Sequence, residues 1–289
     1  MRPRRVALLT LVAMVAFAGN SLLTRAALRG SGIDAASFTA IRIVSGAAAL
    51  WLIVRLRNRP ASARSAGTWG SALALFAYAA AFSLAYLSLT AATGALLLFG
   101  AVQVTMITAG LIGGERLSAA QALGLALAFA GLVGMLLPGL SAPPIGGALL
   151  MVLAGVAWGL YSLRGRSAVA GGSDPTVLTA GNFILAVPLA LGLVAVAWAL
   201  TTGLNVDVAG VGLAVASGAV TSGVGYAIWY AALTGLTATT AATVQLSVPV
   251  ITAVAGVSLL GESLTLRLVL ASAAVLGGIA LVILARRSG

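Results

Sequence analysis

Gly114-Glu115-Arg116-Leu117-Ser118 returns as Gly261-Glu262-Ser263-Leu264-Thr265, with Glu262 147 positions beyond Glu115. Each copy ends a long apolar run and opens another of similar length. Together they hold two of the chain's five carboxylates. A feature that recurs at half the chain length marks a protein built twice.

The composition says what surrounds it. Of 289 residues, 61% are hydrophobic and 7% charged, and the mean hydropathy is +1.13. A soluble domain carries about 25% charged residues. So few charges cannot cover a water-facing surface, and the chain reads as an all-α integral membrane protein. All sixteen basic residues are Arg, and there is no His and no Cys. Missing Cys excludes disulfides and thiolate chemistry; missing His removes the commonest metal ligand and proton shuttle. No cofactor or metal site is implied. The net charge of +11 does not indicate nucleic acid, because the arginines punctuate apolar runs instead of forming one patch.

A crossing helix needs about 20 apolar residues. Ten runs qualify: 6–24, 35–54, 69–89, 94–113, 119–137, 146–163, 176–200, 208–231, 238–260 and 267–285. Arg55, Arg57, Arg59, Pro60 and Arg64 break the chain after the second run; Pro138, Pro143 and Pro144 break it after the fifth. Ser173-Asp174-Pro175 opens the seventh with a cap and a first-turn proline. The third and fourth runs are parted only by Thr90 to Thr93. The first run resembles a signal peptide ending in Ala16-Phe17-Ala18, yet its removal would take one member from a duplicated set, so it is read as a span.

With the N-terminus inside, twelve arginines fall in inner segments. The outer segments hold Arg25, Arg29 and Arg267, and Arg42 lies inside a span. That is positive-inside topology with both termini cytoplasmic. Trp51, Trp69 and Trp198 sit at span ends as interfacial anchors.

Gly19, Gly32, Asp34 and Ala40 match Gly159, Gly172, Asp174 and Ala180 at a constant offset, and Leu89-Thr90 matches Leu233-Thr234. The expected repeats are 1–137 and 146–289. Five spans per repeat is odd, so the second repeat enters the membrane from the opposite side. Such inverted repeats are a plan of secondary transporters, with the substrate near the midplane between halves.

Few side chains are candidates for that site. Arg42 lies eight residues after Asp34, about 12 Å into its span, where an arginine must face protein or water; it is a candidate counter-charge for a substrate carboxylate, or a structural residue bonded to carbonyls. Asn20, Asn182, Gln103 and Gln245 are polar groups at span depth, with interhelical hydrogen bonding as their alternative role. Tyr78, Phe82 and Tyr86 share one face of the third span, and Tyr226 and Tyr230 occupy the matching positions of the eighth. Tyr86 and Tyr230 are therefore the expected gates at opposite mouths, unless they are interfacial anchors. Trp158 and Tyr161 are expected to line the same cavity. Pro188 and Pro249 are expected helix kinks. Gly110-x-x-x-Gly114 and Gly155-x-x-x-Gly159 suit close helix contacts. Glu115 and Glu262 read as architectural, at turns where Ser118 and Thr265 cap the next helix.

No run holds Asp, Glu or His at depth, which argues against proton coupling and cationic substrates. It favours facilitated diffusion of a neutral, zwitterionic or anionic solute. The nucleophile, base and metal sets of an intramembrane hydrolase are missing, so no enzyme is expected.

The twin Gly-Glu-x-Leu-Ser/Thr boxes, Trp158-Gly159, Asp174-Pro175, Arg42 and Pro249 thirteen residues before Glu262 together resemble the drug/metabolite transporter superfamily, and within it the ten-span EamA-type exporters. The resemblance covers essentially the whole chain. It departs at Val102-Gln103, where the family usually has proline, and at Gly19-Asn20, where it has Trp-Gly. The resemblance implies alternating access around a central cavity and export of amino acids or related small metabolites, aromatic ones in the YddG-like branch. It places the chain in a bacterial inner membrane. Transport of phosphorylated or sugar-linked metabolites would call for further buried arginines. A non-transporting assembly or signalling subunit is the alternative of another class.

Overall fold

A computed structural model describes residues 3–57, 67–114, 118–137, 139, 142–201, 203–233, 235–236 and 244–285. Among them there is no strand. The principal helices are α1 (Pro3–Gly30), α2 (Ala35–Leu56), α3 (Trp69–Tyr86), α4 (Ala91–Ile112), α5 (Ala119–Leu136), α6 (Ile145–Ala170), α7 (Pro175–Thr201), α8 (Val208–Leu233), α9 (Ser247–Leu260) and α10 (Leu266–Ala285). Eight of them, α1 to α8, are long and apolar enough to cross a membrane; α9 and α10 are shorter apolar helices. Leucines and valines project from the outside of the bundle along most of its helices, as they do where lipid is the solvent. This is a multi-pass membrane protein.

The helix starts are chemically marked. Asp34 accepts the amides of Ala36 and Ser37, Asp174 those of Thr176 and Val177, and Asp207 that of Gly210. Thr68, Thr90 and Thr265 cap α3, α4 and α10 in the same way. Ser118 and Gln121 form a reciprocal capping box on α5, each such cap being worth about 1 kcal/mol.

Contacts between helix termini define two ends of the bundle. At one, Glu262 meets α1 and α4, and Asp34 meets Asn205. At the other, Arg57 meets Thr176 and Arg164 meets Ser71. We call these the Glu262 end and the Arg166 end. Packing between helices has a pattern: α3 lies on α6 as α8 lies on α1, α4 on α6 as α9 on α1, and α3 on α7 as α8 on α2. α5 and α10 form a side pair, so close that a Cβ on Gly278 would come within 2.4 Å of the Gly124 carbonyl.

Several boundaries differ from the sequence expectation. α1 continues through Arg25 to Gly30, because the Arg25 charge is neutralised inside the bundle instead of ending the helix. α6 runs on to Ala170 and carries Arg164 and Arg166 in its last turns. Pro249 lies in the first turn of α9, just after a break at Leu246 that separates it from helical Val244 and Gln245. α7 does continue through Pro188. Gly155 and Gly159 abut α4, whereas Gly114 sits at φ +91° with nothing near it, so the Gly110/Gly114 pair makes no matching contact at Gly114. Glu115, Arg59, Pro60, Arg64 and Pro138 lie outside the described residues.

Candidate functional site

A cavity of about 350 Å³ occupies the Arg166 end. Its wall follows α6 from Trp158 down to Arg166, and α8 from Tyr226 down to Tyr230, with Gln103 on α4 and Gln245 opposite. At its inner limit Trp158 and Tyr226 stand with ring centroids 5.0 Å apart. Both rings also wall a second void of about 20 Å³, which reaches Asn20, Tyr78 and Phe82; that is room for about one water. Trp158 and Tyr226 are therefore a partition between a wide vestibule and a nearly closed inner chamber.

Beyond the partition lies a polar network from four helices. The Asn20 amide nitrogen donates to the Tyr78 hydroxyl (3.1 Å), and its oxygen accepts from Ser217 (2.7 Å) and Thr221 (3.4 Å). Arg42 Nη2 donates to Tyr78 (2.9 Å) and Nε to Ser222 (3.3 Å). Its guanidinium lies 5.1 and 5.0 Å from the ring centroids of Tyr78 and Phe82, cation–π geometry. Arg42 is 2% exposed, and Nη1 has no hydrogen-bond partner among the described residues.

The second half reaches Arg42 and Asn20 through a π-helical stretch in α8, Ala216–Val224. Such stretches are rare and frequent at functional sites. Gly218 within it touches α2 so closely that a Cβ would stand 2.1 Å from the Arg42 carbonyl. Only glycine lets the two backbones meet there.

The Glu262 end is shut. Glu262 Oε1 accepts from Arg25 Nε (3.1 Å), and Oε2 accepts from the Ala91 amide at the start of α4 (2.8 Å). Arg25 Nη1 donates to the Tyr86 carbonyl (2.8 Å), and the Tyr86 hydroxyl donates to the Ala91 carbonyl (3.3 Å). One carboxylate thus ties α1 and α4 to the α9–α10 turn, and through Arg25 to α3, using a charge pair and a helix N-terminus. Beneath it Tyr78, Phe82 and Tyr86 pack in series, with centroids 5.3 and 4.7 Å apart.

The structure brings Asn20, Arg42, Tyr78, Phe82, Trp158 and Tyr226 together, with Gln103, Gln245 and Tyr230 in the vestibule. It separates two expected cavity residues from it. The Asn182 oxygen accepts the Thr68 amide (3.0 Å), fixing the start of α3. Tyr161 stacks behind Trp158 at 5.5 Å and is fully buried, its hydroxyl directed among α7 and α8 residues. Tyr86 is wedged over Gly94 in the sealed end, while Tyr230 lines the vestibule. Sequence reading passed over Arg25, Phe17, Ser217, Thr221 and Ser222. A charge five residues before a helix end and small hydroxyls in an apolar run were the available signals.

Residues 145–284 match the EamA-like transporter family. The chain carries an EamA-like transporter domain of the drug/metabolite transporter superfamily. An uncharacterised protein of Pseudomonas aeruginosa is 57% identical over 286 residues, covering 99% of this chain and 97% of that one. A solved crystal structure shares the fold with a TM-score of 0.66 at 19% identity, covering 98% of each chain.

Proposed function

We propose that this EamA-domain protein is a secondary transporter that exports amino acids or related small metabolites by alternating access. The observation that carries the reading is the cavity, open toward the Arg166 end and stopped at the Trp158–Tyr226 partition while the Glu262 end is tied shut. The packing pattern supports two inverted repeats, 1–137 and 146–289, forming ten spans. Arg4, Arg5, Arg55, Arg57, Arg164 and Arg166 gather at one end and Arg25, Arg29 and Arg267 at the other, which supports a cytoplasmic Arg166 end in a bacterial inner membrane. The cavity then faces the cytoplasm, loaded from the side an exporter must draw on. Tyr230 and Tyr86 mark the inner and outer mouths of that path.

A transporter of phosphorylated or sugar-linked metabolites fits less well. The second buried arginine, Arg25, is already neutralised by Glu262, leaving Arg42 alone for a polyanion. Reconstitution into proteoliposomes tests the reading: counterflow of labelled amino acids or analogues is expected, and no flux of any small metabolite above empty liposomes would overturn it. An imposed pH gradient is expected to leave the rate unchanged.

A further inference from the structure

Resting on the transport reading and narrowing its substrates from amino acids to related small metabolites, we infer that the site selects small organic monoanions, carboxylates with an apolar or aromatic body, over the zwitterions and cations of the same shape.

The argument begins with charge. Arg42 is a permanent cation buried beyond the partition, and no carboxylate pairs with it among the described residues. The other carboxylates are engaged. Asp34, Asp174 and Asp207 hold helix N-termini, and Glu262 holds Arg25; Glu115 lies outside the described residues. A buried charge left without a counter-ion is expensive, and one brought by a ligand would remove that cost.

The donors are arranged for an anion. The guanidinium spends Nε on Ser222 and Nη2 on Tyr78, leaving Nη1 open on a fork whose geometry suits a carboxylate. The Tyr78 oxygen accepts from both Arg42 and Asn20, so its own proton remains for the neighbouring Tyr226 hydroxyl or for a ligand. The inner chamber beside these groups holds about 20 Å³. A carboxylate reaching Nη1 must therefore displace the Tyr226 side of the partition, while its apolar body stays against Trp158 and Trp229.

No acid among the described residues stands ready for an ammonium. The lining described for the vestibule contains no acid, and its one charged residue is Arg166, at the mouth. The nearest aromatic faces to Arg42, those of Tyr78 and Phe82, are already taken by its guanidinium. A zwitterion would bring its cation between Arg166 and Arg42 with no acid described in the lining to pair it.

The test uses two matched series on the full-length protein in liposomes: 3-phenylpropionate, phenylalanine and phenethylamine, and hexanoate, norleucine and pentylamine. Binding is read from Trp158 and Trp229 fluorescence and transport from counterflow. The expected order in at least one series is anion over zwitterion by about tenfold, or 1.4 kcal/mol, with no cation flux. Anion flux should follow an imposed membrane potential. Arg42→Gln should erase the anion's advantage and Arg42→Lys retain part of it; if Arg42→Gln fails to fold, the wild-type ranking decides. Zwitterion flux equal to or above anion flux in both series overturns this inference and leaves transport standing. No flux of any of the six also overturns this inference, and the transport reading falls with it only if no other small metabolite moves either.

Discussion

The two ends of the bundle are built from similar aromatic pairs but differ in what holds them. At the Glu262 end, Tyr86 is fastened: its ring lies on Gly94, its hydroxyl reaches Ala91, and Glu262 clamps Arg25 and the first amide of α4 behind it. At the Arg166 end, Tyr230 has the equivalent helical spacing from Tyr226, yet among the described residues no carboxylate stands behind it, and a cavity lies in front. Among the described residues, the sealed end has a carboxylate that gathers three elements behind its rings, and the open end shows none.

Removing that carboxylate should have the largest effect. Glu262→Ala leaves Arg25 buried without its counter-charge, held only by the Tyr86 carbonyl; the two side chains are 3% and 12% exposed, so the cost should approach the about 3–5 kcal/mol of a broken buried pair. A fall in melting temperature is expected, together with reaction of Leu89→Cys with an impermeant maleimide, because the chain is otherwise free of cysteine. The contrast breaks if Leu89→Cys, buried at the sealed end, already reacts in the Glu262 protein as fast as Val169→Cys at the open end. Next, Ser162→Trp should fill the vestibule and stop flux while leaving the melting temperature within a degree or two of the parent. Flux that survives it would mean the substrate takes another path. The smallest change is expected of Tyr86→Phe, which loses one hydrogen bond to Ala91, about 1 kcal/mol. Its melting curve should shift slightly, with maleimide access to Leu89→Cys still low.

Much of this arrangement was legible in the sequence, for physical reasons that can be named. The helices followed from apolar runs about as long as a bilayer is thick, and the stacked series Tyr78, Phe82, Tyr86 from i,i+4 spacing on one helix. Asn20 and Arg42 stood out because polar groups at that depth are costly. The clamp was not legible. Arg25 and Glu262 are 237 positions apart, and a charge near the end of an apolar run reads as the end of a helix until its partner is known. Asn182 misled for the opposite reason: an amide at span depth can serve a loop amide as well as a cavity, and Thr68 claims it. The π stretch of α8 left no trace, since Ala216–Val224 has the small-residue composition of an ordinary α-helical turn.

That stretch has a consequence for how the cavity wall is specified. Its hydrogen bonds run i to i+5, so Ser217 and Ser222, five apart, come into register along α8, one serving Asn20 on α1 and the other Arg42 on α2. Everything beyond inherits the added winding. Losing a single residue there, such as Ala219, would let α8 regain ordinary pitch with Tyr226, Trp229 and Tyr230 kept near their present phase, whereas the same nine residues wound at ordinary pitch would turn those rings about 100° around the helix axis. The rings that wall the cavity would then face elsewhere with their identities intact. The cavity is set by phase as much as by composition, and one residue's worth of winding is its unit of adjustment.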